Sequence, residues 1–186
     1  MPTNTIGANG EILRDARTRY VQRAEGGAHG AFEAETRRAG GAPRAEVNVA
    51  RGTAPADVAE LLGVDQAEEL VIRSRRMYDG ERLVQLADTF VPAFVAEAAP
   101  AVAELNTGEG GIISRMAEAG LAQADVVEDV EQRPATAEQA EALGVEPGDL
   151  LLVITHTGRT EDGRAVEVTR HVLGRGWTLR YGVPLS

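Results

Sequence analysis

The segment Leu61 to Arg76, LLGVDQAEELVIRSRR, is echoed by Ala142 to Thr157, ALGVEPGDLLLVITHT. Before each echo stands a short amphipathic stretch, Pro55 to Val64 and Pro134 to Val145, closed by Leu-Gly. Glycine at the end of a helix takes the left-handed conformation at low cost, so both stretches read as helices with a glycine stop. Each Leu-Gly-Val leads through a turn into a β-rich run that ends in Asp79-Gly80 or Asp162-Gly163. Asp-Gly between β-patterned segments signals a hairpin, because both residues tolerate positive φ. The return strands are Arg82 to Pro92 and Arg164 to Gly174. A unit of helix, turn, strand, hairpin and strand thus occurs twice. Two such units constrain the chain to one sheet built from two related hairpins. Further strands are expected in PRAEVNVARGTA (43–54), about Asp125 to Arg133, and WTLRYGVPL (177–185). Helices are expected in VPAFVAEAAPAVAEL (91–105) and about Gly111 to Glu118. The fold class is therefore α+β, a mainly antiparallel sheet flanked by helices. The boundaries within the Arg-rich, Gly-broken segment 9–41 are not legible, and His29 in GGAHGAF reads as a loop residue.

At 186 residues the chain has room for one domain with a real core and one principal site. There is no cysteine, which removes disulfides, thiolate metal sites and cysteine nucleophiles together. There is no lysine either, which removes Schiff-base chemistry and a phosphate-loop lysine. A net charge of −10 argues against direct nucleic-acid binding, because affinity for phosphates comes mainly from clustered cations. No apolar run approaches the roughly 20 residues of a membrane span, and the opening residues lack a cationic-then-apolar block. A cytoplasmic protein with no membrane role is expected. GGIIS and GEGG match neither a dinucleotide nor a phosphate loop, three scattered histidines give no metal spacing, and Ser114 lacks a nucleophile elbow. No cofactor and no metal are implied.

Alternation across a strand puts Arg73 and Arg75 on one face and Ser74 and Arg76 on the other. On the return strand Gln85, Ala87 and Thr89 share a face. The echo matches Arg75 with His156, Gln85 with Glu167, Ala87 with Thr169 and Thr89 with His171. One face then holds Arg73, Arg75, Gln85, His156, Glu167, Thr169 and His171, a polar set for half-buried strands. Buried polar groups need partners, and a ligand can supply them. Each residue also has a plain structural reading: ion pairs for Arg73, Arg75 and Glu167, hydrogen-bonded core positions for His156 and His171. Trp177 and Tyr181 read as packing residues or as an aromatic wall for the ligand.

Four stretches carry a resemblance over about Glu33 to Tyr181: VIRSRRMYDGERLVQLADTFVP, TGEGGIISRMAEAGL, EDVEQRPATAEQAEALGVEPGDLLLVI and EDGRAVEVTRHVL. In order and spacing they resemble the UTRA domain, the effector-binding half of GntR-type transcription regulators of the HutC subfamily. The resemblance implies a chorismate-lyase-like fold, a buried small-molecule site and a homodimer. It implies a domain over 33–186 and a linker-like segment over 1–32, since ANGEILRDARTRYVQRAEGG (8–27) looks like the linker that follows the winged helix-turn-helix head. The chain is expected either to be an excised effector domain or to stand alone without that head. The family's effector site is lined by arginines of the first hairpin strand, a Glu of the second hairpin and a small hydroxyl residue at the start of the middle helix. Carried over, these fall on Arg73, Arg75 and Glu167, which match, and on Gly111, which does not. Gly111 keeps a backbone N–H for an anion near the helix N-terminus but weakens a phosphosugar reading. His156 stands where the family commonly has Arg; this exchanges a fixed cation for a group that titrates near neutrality.

Two functions follow. In the first, a polar or anionic small molecule binds this face, with Arg73, Arg75, Gln85, Gly111, His156, Glu167, Thr169, His171 and Tyr181 as candidate contacts. In the second, the pocket belongs to a lyase, cyclase or isomerase, with His156 or Glu167 as acid or base and the arginines stabilising negative charge.

Overall fold

The structure, a computed structural model, describes residues 12–19 and 30–182. His29 and residues 1–11 and 20–28 of the linker-like stretch lie outside the described residues, as do residues 183–186. The elements in chain order are β1 (Ile12–Asp15), α1 (Ala16–Arg19), α2 (Ala31–Arg38), β2 (Pro43–Gly52), α3 (Ala56–Leu62), β3 (Leu70–Asp79) and β4 (Arg82–Val91). They continue with α4 (Ala93–Ala98), a 3-10 turn (Pro100–Ala103), α5 (Gly111–Glu118), β5 (Asp125–Pro134), α6 (Ala137–Leu143), β6 (Leu150–Arg159), β7 (Ala165–Leu173) and β8 (Trp177–Arg180).

Among the described residues, six strands form one antiparallel sheet in the order β2-β3-β4-β7-β6-β5. The two expected hairpins, β3–β4 and β6–β7, lie at its centre, joined through β4 and β7. Both expected glycine stops are left-handed, at φ 67° for Gly63 and 65° for Gly144. At the hairpins, positive φ falls on Gly80 and Gly163 alone; Asp79 stays extended as the last residue of β3. The short helix expected within 91–105 is α4, and a 3-10 turn follows it at Pro100, whose missing N–H cannot continue an α-helix. The last strand, β8, joins no hairpin; it pairs in parallel with β1 in a separate two-stranded sheet.

One face of the main sheet is apolar and carries the two repeated-pattern helices. Val58 and Leu62 of α3 pack on Leu70, Phe90 and Val168, and Ala140 of α6 packs on Leu151, Val153 and Val172. The opposite face is covered at one end by β1 and α2, where Ile12 and Phe32 meet Met77 and Ala87. At its other end α4, the 3-10 turn and α5 bring Val95, Val102 and Met116 onto Val71 and Val91. Between these two covers lies the polar face.

Candidate functional site

Strand register assembles the floor of the site. One rung across five strands reads Arg73, Thr89, Thr169, His156, Glu128, and the next reads Arg75, Ala87, His171, Ile154. The sheet therefore aligns His156 with Arg73, whereas the echo in sequence aligned it with Arg75. Thr89 lies opposite Thr169, with their hydroxyls 2.7 Å apart, and Ala87 lies opposite His171. Register slips at Gly158/Arg159 on the β6–β7 edge, a bulge of the kind that re-aims side chains.

Arg73, Gln85, Thr89, His156, Glu167, Thr169 and His171 are all buried. Such a polar floor is stable only if its groups are bonded, and most are. Arg73 donates through Nη1 to the carbonyls of Val102 (2.7 Å) and Glu104, and through Nη2 to that of Leu105 (3.3 Å). Its guanidinium thus anchors the loop after the 3-10 turn. Glu167 accepts from Gln123 Nε2 at 2.6 Å and from the Thr169 hydroxyl at 3.2 Å, and its Oε1 lies 3.4 Å from His156 Nε2. Behind His156, Nδ1 lies 3.8 Å from Glu128 Oε1, which is itself ion-paired to buried Arg14 of β1. Gln85 Nε2 and His171 Nδ1 are 3.0 Å apart. Arg75 donates through Nη2 to the Thr89 hydroxyl, while its buried Nε has no partner among the described residues.

Above this floor lies a cavity of about 410 Å³, within the range of small-molecule sites. Arg73, Arg75, Gly111, His156, Glu167, Thr169 and His171 line it; Gln85 and Tyr181 do not. Gln85 lies fully buried with Nε2 against Met77 Sδ (2.8 Å) as well as His171, and Tyr181 is exposed with its hydroxyl donating to Glu128 Oε2 at 3.1 Å. Gly111 lines the wall, but its N–H donates to Gly108 O at 3.2 Å and does not await an anion. The remaining walls are largely apolar, with Phe32 from α2, Val47 from β2, Met77 from β3, and Ile112 and Ile113 from α5. Sequence reasoning missed Arg19 and Phe32 at the wall, and Gln123 and Glu128 behind it. Glu128 had a signal, since it alternates within DVVEDVEQ toward one face of β5. Gln123 sits in a loop, where no periodicity exists to find it.

Packing so many ionisable groups together moves their protonation equilibria. Burial alone drives His156 toward neutrality, but the carboxylates of Glu128 and Glu167 outweigh it and raise its pKa above the ordinary 6.5. Burial pushes Glu167 up, yet His156, Gln123 and Arg75 together hold it below the usual carboxylate value. His171 is driven well below 6.5 by burial, with the charges of Arg14, Arg19, Arg75 and His156 acting in the same direction. Arg75 is lowered to about 10 by burial, against the pull of Glu167 and with Arg73 and Arg19 as repelling neighbours.

The UTRA domain family model matches residues 38–174. The chain is 31% identical over 121 residues to the HTH-type transcriptional regulator Rv0792c of Mycobacterium tuberculosis, a match that takes in 63% of this chain and 43% of that protein. It therefore spans less than half the length of that curated relative. Among solved structures it is similar to a GntR-family transcriptional regulator, with TM-score 0.78, 24% identity, and coverage of 94% of this chain and 71% of the other. PhnF from Mycobacterium smegmatis superposes with TM-score 0.72 at 18% identity over 95% of this chain and 73% of that one. The ligand-binding domain of a GntR-family regulator from Bordetella bronchiseptica gives TM-score 0.63 at 23% identity, covering 78% and 90%. At these identities the structural likeness is one of fold.

Proposed function

Because the chain belongs to the UTRA domain family, we propose that it is the effector-binding domain of a GntR-type transcription regulator of the HutC kind, holding a polar or anionic small molecule in the cavity between its two covers. The observation that carries this reading is the cavity of about 410 Å³ over a polar floor drawn from β3, β6 and β7. Residues 33–186 then form the body of the ligand-binding unit, and 1–32, the segment leading to a DNA-binding head, adds Ile12 to its core and Arg19 and Phe32 to the cavity wall. The charge of −10 suits a domain that leaves phosphate contact to another module. Arg19, Phe32 and Glu33, from the segment that precedes β2, line the cavity. A ligand that touches them shifts the docking equilibrium of that segment, the route by which occupancy reaches a head. A homodimer in the cytoplasm belongs to the same proposal. Among the described residues β5 is the last strand of its sheet, and it exposes Val127 (46%) and Val130 (41%), which supports self-association. No helix among the described residues is long and apolar enough to cross a membrane. The matched relatives do not favour the lyase, cyclase or isomerase alternative.

The test is native mass spectrometry and thermal shift of the protein exposed to a metabolite extract. A small molecule bound in stoichiometric amount and released unchanged is the expected outcome, with binding lost in Thr169→Phe, which fills the floor of the cavity. Conversion of the bound molecule, or an extract that neither binds nor stabilises, would overturn the proposal.

A further inference from the structure

We infer that the ligand is a monocarboxylate with an apolar body, its carboxylate seated on Arg75; this rests on reading the cavity as the effector site. The argument is one of commitments. Of the charged side chains that line the cavity, Arg73 is taken up by three backbone carbonyls, and Arg19 is ion-paired to buried Glu35. Arg44 pairs with Glu46 at 2.6 Å and lies over the Tyr78 ring at 3.8 Å. His156 lies between Glu128 and Glu167, and Glu33 pairs with Arg37 at 2.5 Å. Both oxygens of Glu167 are already accepting hydrogen bonds. Arg75 is different. Among the described residues it makes no ion pair, its sole hydrogen bond is to the neutral hydroxyl of Thr89, and its buried Nε has no acceptor.

A guanidinium edge left this way suits the two oxygens of one carboxylate, which accept side by side from the fork. A phosphate dianion suits it less. The second negative charge finds no further uncommitted cation among the described residues lining the cavity, and it faces the carboxylates of Glu167 and Glu33. The rest of the ligand meets Phe32, Val47, Met77, Ile112 and Ile113, with Asn106 and Thr107 as the neutral polar side chains of those walls, a lining that offers more surface for an alkyl or aryl body than groups for sugar hydroxyls.

The test compares matched probes by calorimetry and thermal shift: octanoate and 3-phenylpropanoate, their neutral amides, and phenyl phosphate. On the parent protein each acid is expected to bind about tenfold or more tightly than its amide, the range of a charge-assisted hydrogen bond, and more tightly than phenyl phosphate. In Arg75→Leu the preference for acid over amide should collapse, and Arg75→Lys should restore part of it. Because Arg75→Leu removes a partly buried cation that has no ion pair among the described residues, it should fold; the acid-to-amide ratio on the parent needs no variant in any case. Amides that bind as well as acids, a phosphate ester that binds best, or an acid preference that survives Arg75→Leu overturns the inference and leaves the effector site standing. Failure of every probe, while a metabolite extract still yields a bound molecule, overturns the inference alone. Failure of both overturns the proposed function as well.

Discussion

His156 and His171 lie on adjacent rungs of one sheet face, both buried, and are driven in opposite directions. His156 has carboxylates on both sides, whereas His171 faces Gln85 and a set of cations. In a His29→Gln background, imidazole NMR should show one ring still protonated above pH 6.5 and the other neutral well below it. The sign for stability follows. A raised histidine pKa contributes stability that is fully present below about 6.5 and is lost as pH rises through the folded value. His156→Gln should therefore destabilise more at pH 6 than at pH 8.5 in urea titrations; equal losses at both would contradict the cationic assignment. Glu167 acts with the reverse sign, contributing above its unfolded value near 4.5 and losing that contribution as pH falls through the folded one. His171 adds to the loss at low pH, because the unfolded chain takes up a proton there that the folded one refuses. A closer probe is Gly158→Ala. A Cβ at that position would come within 2.5 Å of the end of the Gln123 side chain, which bonds Glu167. The expected outcome is a folded protein with Gln123 displaced and the Glu167 pKa moved upward, read by carboxylate NMR.

At the scale of elements, α3 and α6 occupy equivalent places beside their hairpins but start differently. The Thr136 side chain accepts from Gln139 N–H at 3.2 Å while the Gln139 side chain accepts from Thr136 N–H at 3.1 Å, a reciprocal cap. α3 begins after Pro55 with no side-chain cap. Thr136→Ala should cost about 1 kcal/mol in urea unfolding. Gly63→Ala and Gly144→Ala should each cost about 1–2 kcal/mol, because alanine is strained at left-handed φ. The glycine stops were legible in sequence since one residue type answers one backbone need. The cap was legible too, as Thr-x-x-Gln before an amphipathic stretch, though the periodic pattern drew the eye to Pro134 instead. The break at Pro100 was written in the same way. The separate pairing of β8 was not, because a four-residue strand carries no record of its partner.

At the scale of the molecule, the small β1–β8 sheet is joined to the edge of the large one through Glu128, which takes Arg14 from β1 and the hydroxyl of Tyr181 just beyond β8. Arg14 and Glu128 are both nearly inaccessible, with side-chain exposures of 1% and 6%. Removing one carboxylate from a buried ion pair leaves the remaining charge less well compensated, so Glu128→Ala should lose up to about 3–5 kcal/mol, and Arg14→Met with Glu128→Leu should recover part of it. Trp177, the sole tryptophan, lies in β8 with its indole N–H donating to Val84 O at 2.9 Å, so its fluorescence reports whether the small sheet stays docked. A Glu128→Ala protein with unchanged stability and unchanged emission would show that this junction does not hold the covers in place.

By itself the sequence determined the order of elements from 43 to 173, the two hairpins, the glycine stops, and the side of the sheet on which Arg73, Arg75, His156, Glu167, Thr169 and His171 gather. Those are consequences of short-range periodicity and turn chemistry, which the chain records within a few residues. Only the tertiary structure decided which charges were spoken for. Arg73 and Arg75 are two residues apart on one face, and no local rule distinguishes them. Carbonyls some thirty residues away occupy Arg73, whereas Arg75, among the described residues, meets only a hydroxyl from the next strand. Partners so distant in sequence are set by how the covers pack over the sheet, which depends on the whole fold at once.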